Sequence, residues 1–314
     1  MTQKKEKFNH YTVMLKEAVD ALDIQENKVY VDCTLGGGGH TEEILKKFSK
    51  NNQLISFDVD TIAIEHAKKR LENYKDNFTI VNSSYMNLES KLAEMGISKI
   101  TGGVLFDLGA SYYQLTSEER GFSFQKDSPL DMRFDMSADL TAYDVVNGFS
   151  EEDLANVIFE YGEERYSRRI ARKIVAAREI KPVSTTFELA DLVKSVVPFG
   201  KSKTHPATKT FQGIRICVNN ERKNIENILK VVLTLLDKNA RIAVISFHSL
   251  EDRIVKRVFK EYSSSCKCPP RQMICSCEPP IIELVTRKPI LPSEEEVMIN
   301  PPSRSAKLRV ATKL

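Results

Sequence analysis

Val29-Tyr30-Val31-Asp32-Cys33-Thr34-Leu35-Gly36-Gly37-Gly38-Gly39-His40 decides how the rest of the chain is read. It opens on β-branched and aromatic residues, breaks into four consecutive glycines and runs into a segment with Ile44, Leu45 and Phe48 at helical spacing. Strand, glycine loop, helix is the order this pattern predicts. Glycine has no Cβ to clash and tolerates positive φ, so such a loop lets backbone approach a ligand closely. The stretch therefore reads as a cofactor loop.

Outward from it, apolar runs alternate with amphipathic ones. Residues 13–22 read as a first helix with Thr12 as its cap. Gln53–Asp60 reads as a second strand ending in acid. Thr61 could cap the following helix, whose stripe is Ile62, Ala63, Ala67 and Leu71, and Asp60 suits that cap better than Asp58 does. Phe78–Val81 and Gly102–Gly109 read as third and fourth strands with a helix from Leu88 to Met95 between them. Alternation of this kind predicts an α/β fold with a parallel sheet covered on both faces. It stops after Ser111. Helical patterns at Glu151–Tyr161, Tyr166–Arg178 and Phe187–Val197 then predict an inserted helical domain over 119–212. The α/β pattern resumes with a long helix at Phe211–Leu236, a strand at Ala240–His248, a helix at Leu250–Tyr262 and a final strand pair at Ile281–Thr286 and Ala306–Ala311. The main domain is thus expected to be 1–118 plus 213–314.

Composition bounds the function class. The 314 residues carry a formal charge of +3 and 41% hydrophobic residues, an ordinary globular balance. No run approaches the ~20 apolar residues of a membrane span. The six cysteines are too few for a secreted disulfide scaffold of this length. With no signal-peptide pattern at the start, the expectation is a soluble cytoplasmic protein with no membrane partner. Homodimerisation stays open.

Three cofactor classes compete for the glycine loop. A P-loop needs Lys-Ser/Thr at its close, where His40-Thr41 stand. A dinucleotide loop needs a third glycine at Thr41. S-adenosylmethionine has no phosphate and needs close backbone approach plus an acid for its ribose, a role open to Asp58, 19 residues beyond Gly39. That acid would suit NAD equally, so the glycine spacing tips the choice toward S-adenosylmethionine. His40, directly after the glycines, is placed for contact with the methionine end. Asp107, in an acid-to-glycine turn ending the fourth strand, or the backbone carbonyls of Asp107-Leu108-Gly109, are the candidate acceptors for a substrate proton, with cofactor binding alone as the other reading of Asp107.

The chain resembles the ribosomal RNA small subunit methyltransferase H family, also called MraW. The resemblance rests on Asp32–His40, Asp107-Leu108-Gly109-Ala110-Ser111, Arg120-Gly121-Phe122-Ser123-Phe124, Pro129-Leu130-Asp131-Met132-Arg133, Tyr161-Gly162-Glu163-Glu164-Arg165, His205–Gln212, Ile245–Arg253 and Arg304–Arg309, in order along nearly the whole length. It implies a class I, Rossmann-like methyltransferase that uses S-adenosylmethionine on the N4 amine of a cytidine in the decoding region of 16S rRNA, within the small ribosomal subunit. The cofactor contacts it implies are Gly38, Gly39, His40, Asp58, Tyr85, Asp107 and Gln114. The chain departs from the family pattern at Gly37, where arginine is common, at Tyr85, where phenylalanine is, and at Ala110–Tyr113, where Val-Ser-Ser-Pro is. A methyltransferase acting on DNA or a small molecule, and a ribosome-binding factor without catalysis, are the alternatives.

For the substrate, Asp131 and Arg133 could bond a base edge, while Phe122, Phe124, Met132 and Phe134 read first as core of the insertion. Residues 165–181 carry Arg165, Arg168, Arg169, Arg172, Lys173, Arg178 and Lys181 against the single acid Glu179, a pattern suited to RNA phosphates, and Lys201, Lys203, Lys209 and Arg215 follow. His248, Glu251 and Asp252 suggest an acid/base cluster or, more simply, a helix cap. Cys266, Cys268, Cys275 and Cys277 could hold zinc or form a reduced surface loop; no metal is assigned.

Overall fold

The computed structural model describes residues 11–49, 51–74, 77–109, 119–198, 205–264, 266, 268 and 278–314. The glycine stretch lies at the centre of a seven-stranded sheet of order β3-β2-β1-β4-β5-β7-β6. The strands are β1 (Val29–Asp32), β2 (Gln53–Asp58), β3 (Phe78–Asn82), β4 (Gly103–Asp107), β5 (Arg241–Ser246), β6 (Ile282–Leu284) and β7 (Lys307–Lys313). The first five run parallel, and β7 runs antiparallel to both β5 and β6. Because β1 pairs with β2 on one side and β4 on the other, the chain reverses direction of winding at β1. The crevice beyond the strands' carboxyl ends at such a switch point is where open α/β sheets bind ligands.

Successive strand residues point to opposite faces, and each face has its own core. Val31, Phe57, Val104 and Phe106 meet α10 (Glu221–Leu235) and α11 (Ser249–Ser263). Tyr30, Leu54, Leu105 and Ile245 meet α1 (Leu15–Ala21), α2 (Gly39–Lys46) and α3 (Thr61–Arg70). Both faces are therefore dry, which is why these strands read as nearly unbroken apolar runs. The short helix α4 (Leu88–Glu94) joins β3 to β4.

The chain divides into two compact units, Met1–Gly109 with Asn224–Leu314 and Ala110–Lys223. The second holds α5 (Ala142–Gly148), α6 (Glu151–Glu160), α7 (Ser167–Arg178), α8 (Thr186–Val196) and α9 (Thr208–Val218). Its core is separate, built from Leu154, Ile158, Ile170, Ile174, Leu189, Val193, Phe211 and Ile214. Its boundaries fall outside the expected 119 and 212, because α9 packs Phe211, Ile214 and Val218 into this core. Among its described residues the only β-type pairing is an isolated bridge between Pro129 and Thr185.

Several local readings change. The expected long helix from Phe211 is two helices, broken at Asn219-Asn220, where Asn220 is left-handed at φ +49°. Asn219 turns its amide to Phe134 N (2.7 Å) and Met132 O (2.8 Å), so the break is held by hydrogen bonds. α1 begins after a left-handed Met14, without a side-chain cap from Thr12. Asp60, not Thr61, caps α3, accepting from Ile62 N at 3.0 Å and Ala63 N at 3.4 Å. The sequence reading lacked α5, despite the Thr141/Asp144 capping box that starts it, and α12 (Glu294–Ile299). Among the described residues no helix is long and apolar enough to cross a membrane.

Candidate active site

The glycine turn is braced from beneath by Asp32, the last residue of β1, which is fully buried. Its carboxylate accepts from Thr34 N (3.0 Å) and from Thr41 Oγ1 (2.7 Å), and Thr41 Oγ1 lies 3.0 Å from Ser56 Oγ on β2. An aspartate that bonds the backbone two residues on makes a local turn, which here starts the loop. Burial pushes the Asp32 carboxyl up, and the bonds from Thr41 and Thr34 oppose that shift. Asp58, ending β2, closes the loop from the other side: Oδ2 accepts from Gly36 N at 2.7 Å and Oδ1 from Asp60 N at 2.9 Å. Its carboxyl is pushed up to about 6, by burial first, with those two backbone donors working against it. Gly36 and Gly38 are left-handed at φ +50° and +79°. A Cβ on Gly39 would fall 1.9 Å from Thr12 Oγ1, so that glycine is demanded by close approach of two chain segments.

Asp107 ends β4, the other neighbour of β1. Its N–H donates to Thr34 Oγ1 at 2.7 Å, which ties it to the loop. The side chain keeps 25% of its surface accessible, yet Oδ1 is buried and has no hydrogen-bond partner among the described residues. Oδ2 lies 3.7 Å from Nδ1 of His40, a buried residue in the first turn of α2, and His40 Nε2 lies 3.1 Å from the carbonyl of Val13. Burial first, then the like charges of Asp32, Glu251 and Glu296, holds the Asp107 carboxyl well above the usual range. Tyr85, which begins a short 3₁₀ turn after β3, sets its ring edge-on to Phe106 of β4 at 5.8 Å and 85°. Gly38, Gly39, His40, Asp58, Tyr85 and Asp107 thus all belong to the first unit, at or just after the carboxyl ends of strands β1 to β4. Gln114 lies outside the described residues. The brace of Asp32, Thr34, Thr41 and Ser56 went unread in the sequence; the signal for it is an aspartate ending a strand with threonine two residues later.

His248 caps α11 by a capping box with Glu251, whose Oε2 accepts from Phe247 N at 2.8 Å. Asp252 pairs with Arg309 (2.7 Å) and Lys307 (3.2 Å) of β7. The capping reading of this cluster is the one the contacts bear out.

In the second unit, Asp131 and Arg133 bond each other, with Arg133 Nη2 2.7 Å from Asp131 Oδ2 and Nη1 donating to the carbonyls of Met136 and Ala138. The pair clamps its own loop. Phe122 and Met132 are buried, and Phe122 stacks on Phe134 at 5.5 Å. Phe124 packs between His205 and Phe211, so the aromatics are core. On α7 the cations separate by task. Arg168, Arg169, Arg172 and Lys173 are exposed on the face opposite buried Ile170, Ala171 and Ile174, and Arg172 meets Glu151 at 3.5 Å. Arg178 instead donates to the carbonyls of Val146 (2.7 Å) and Phe149 (2.5 Å) at the end of α5. Arg215 forms a bidentate pair with Glu221, and Lys209 binds the Glu163 carbonyl. Lys201, Lys203, Cys275 and Cys277 lie outside the described residues.

A buried carboxylate oxygen with no donor, at a switch point, beside a turn narrowed by glycine, suits a ligand that carries hydroxyl and amine donors and no phosphate. The comparisons agree with that chemistry. The chain is 47% identical over 310 residues to Ribosomal RNA small subunit methyltransferase H of Brevibacillus brevis, covering 98% of both chains. It is 48% identical over 309 residues to the protein of the same name from Clostridium botulinum, covering 98% of this chain and 99% of that one. An rRNA methylase structure from Streptococcus thermophilus aligns over 97% of this chain and 99% of its own at 11% identity and a TM-score of 0.42, too distant to inform the site. The family model described as MraW methylase family matches residues 7–314. With the match running from before the glycine loop to the last strand, the chain belongs to the MraW methylase family.

Proposed function

We propose that the protein transfers a methyl group from S-adenosylmethionine to the N4 amine of a cytidine in the decoding region of 16S rRNA. The observation that carries this reading is the pair of acids, Asp58 and Asp107, at the tips of the strands on either side of the β1 glycine turn, one of them with a buried oxygen that has no donor. S-adenosylmethionine supplies an electrophilic methyl group on a sulfonium.

The chain's residues divide the remaining work. Gly38 and Gly39 let the backbone turn tightly into α2 against Ala67 and Thr12, and that turn, with His40 beside it, is the one the ligand meets. Asp58 accepts from the ribose hydroxyls; each of its oxygens has one backbone donor and a second lone pair to offer. Tyr85 gives a ring for the adenine to pack on, and Gln114 completes the set that the family pattern implies. Asp107 accepts a proton from the N4 amine. That amine is a poor nucleophile because its lone pair is delocalised into the ring, and removing a proton as it attacks localises the pair. Positioned proton transfer of this kind contributes roughly 10²–10⁴-fold in rate, and alignment of nitrogen, carbon and sulfur supplies much of the rest.

The first unit is then the cofactor domain and the second the RNA-binding domain. The exposed Arg168, Arg169 and Arg172 of α7 meet phosphates, and the Asp131–Arg133 clamp shapes the loop that meets the base. The base has to leave any stack to be reached. Tritium transfer from labelled cofactor, run on intact small subunits, naked 16S rRNA and duplex DNA, tests the reading. Label on the ribosomal substrates as N4-methylcytidine supports it. Label on DNA alone, or on another atom of the base, refutes it.

A further inference from the structure

We propose that Glu296 is a positioning residue of this site, which fixes the ring of His40 against Asp107 through the backbone of Val13 and Met14. The contacts form a continuous path within the first unit. Glu296, on α12, reaches back 282 residues to accept from Met14 N at 2.8 Å. The neighbouring carbonyl, that of Val13, faces His40 Nε2 at 3.1 Å, and the other ring nitrogen faces Asp107 Oδ2 at 3.7 Å. A second contact from the end of α12, Asn300 Nδ2 to Tyr11 O at 3.4 Å, ties the same two chain segments.

Local physics explains why the path needs a clamp. Met14 is left-handed at φ +50°, a conformation that costs a non-glycine residue on the order of 1 kcal/mol or more and persists only where the surroundings enforce it. Its buried side chain supplies part of that enforcement, and the Glu296 carboxylate on its N–H supplies the rest. The left-handed turn starts α1 and leaves the preceding carbonyl aimed at His40. A carbonyl can only accept, so Nε2 carries the proton, and Nδ1 is presented to Asp107. Burial pushes the Glu296 carboxyl up, as it does Asp107, and Glu296 is one of the like charges that raise Asp107. Among the described residues, Asp32, Glu251, Glu296 and His40 are the titratable groups facing Asp107. The C-terminal helix therefore acts on the acid at the reacting end both by geometry and by charge.

The inference rests on the proposed role of Asp107, and its test separates the two. Nitrogen-15 NMR of the histidines, with His40 assigned from a His40→Gln variant, reads the tautomer without any turnover. The wild-type protein is expected to show His40 protonated at Nε2. In Glu296→Ala the signal should become an average of both tautomers, and kcat should fall roughly tenfold or more, with KM for RNA little changed. Glu296→Gln keeps an oxygen that can accept from Met14 N–H, so it should restore the tautomer and most of the turnover. It should also shift the acidic limb of the kcat–pH profile to lower pH, because one negative charge near Asp107 is gone. An unchanged His40 signal in Glu296→Ala, a Gln variant as impaired as the Ala variant, or an unmoved acidic limb in Glu296→Gln would overturn the proposal. If the Ala variant does not fold, the Gln variant carries the test alone through tautomer and pH limb. If the tautomer results hold while Asp107→Asn remains fully active, Glu296 positions His40 as stated and the role of Asp107 falls instead.

Discussion

Asp58 and Asp107 end the two strands that flank β1, and the roles proposed for them differ with their surroundings. Asp58 has a folded pKa of about 6 against an ordinary 3.8, so the folded chain holds its proton more tightly than the unfolded one. The stability linked to it is full below the unfolded value and is lost as pH rises through about 6, a difference on the order of 3 kcal/mol. Ligand binding runs the other way. In the proposed site the ribose hydroxyls would donate to the ionised carboxylate, so cofactor affinity should rise up to about tenfold per pH unit below 6 and level off above it. Calorimetry from pH 5 to 8 checks this, and Asp58→Asn should bind more weakly with no such dependence. Asp107→Asn should retain cofactor binding and lose on the order of 10²-fold or more in kcat, as removal of a proton acceptor predicts; loss of binding with normal single-turnover chemistry at saturating cofactor would assign Asp107 to the cofactor alone. Both acids were legible in the sequence because strand-end acids flanking a glycine turn are a local pattern. The clamp on His40 was not, since Glu296 and Met14 meet only in the folded chain.

Among the elements, α7 carries the clearest division of labour. Its exposed face holds Arg168, Arg169, Arg172 and Lys173, and its last turn holds Arg178, which closes the carbonyl end of α5. Reversing Arg168, Arg169 and Arg172 to Glu should weaken RNA binding and lower the slope of log affinity against log salt by about 2–3, with the melting temperature nearly unchanged. Unchanged affinity and slope in a binding titration would remove the helix from the RNA interface. Arg178→Ala should do the reverse, costing roughly 1–3 kcal/mol in urea unfolding, since two helix-end carbonyls lose charge-assisted bonds. Charge count could not separate the two roles, because both kinds of arginine sit in one basic run. The single long helix expected from Phe211 failed for a related reason. Apolar spacing continues across Asn219-Asn220, and only the amide bonds of Asn219 to the Phe122–Phe134 region show that the chain turns there. Strands β1, β2, β4 and β5, by contrast, were readable almost residue for residue, because burial on both faces leaves little polar punctuation inside them.

The whole molecule consists of one unit made from both ends of the chain, proposed above to bind the cofactor, and a second made from its middle, proposed to bind RNA. That arrangement was visible in the sequence as an interruption of strand–helix alternation, while its limits depended on which core each flanking helix joined. In the proposed site a glycine-narrowed turn between two acidic strand tips receives S-adenosylmethionine. Titration calorimetry of S-adenosylmethionine into the wild-type protein and Gly39→Val, each first shown to be folded by its melting curve, decides whether it does. Saturable heat from the wild type, and at least about tenfold weaker uptake by the variant whose new side chain must displace Thr12, is the predicted result. No uptake by the wild type, or equal uptake by a folded Gly39→Val, would contradict it.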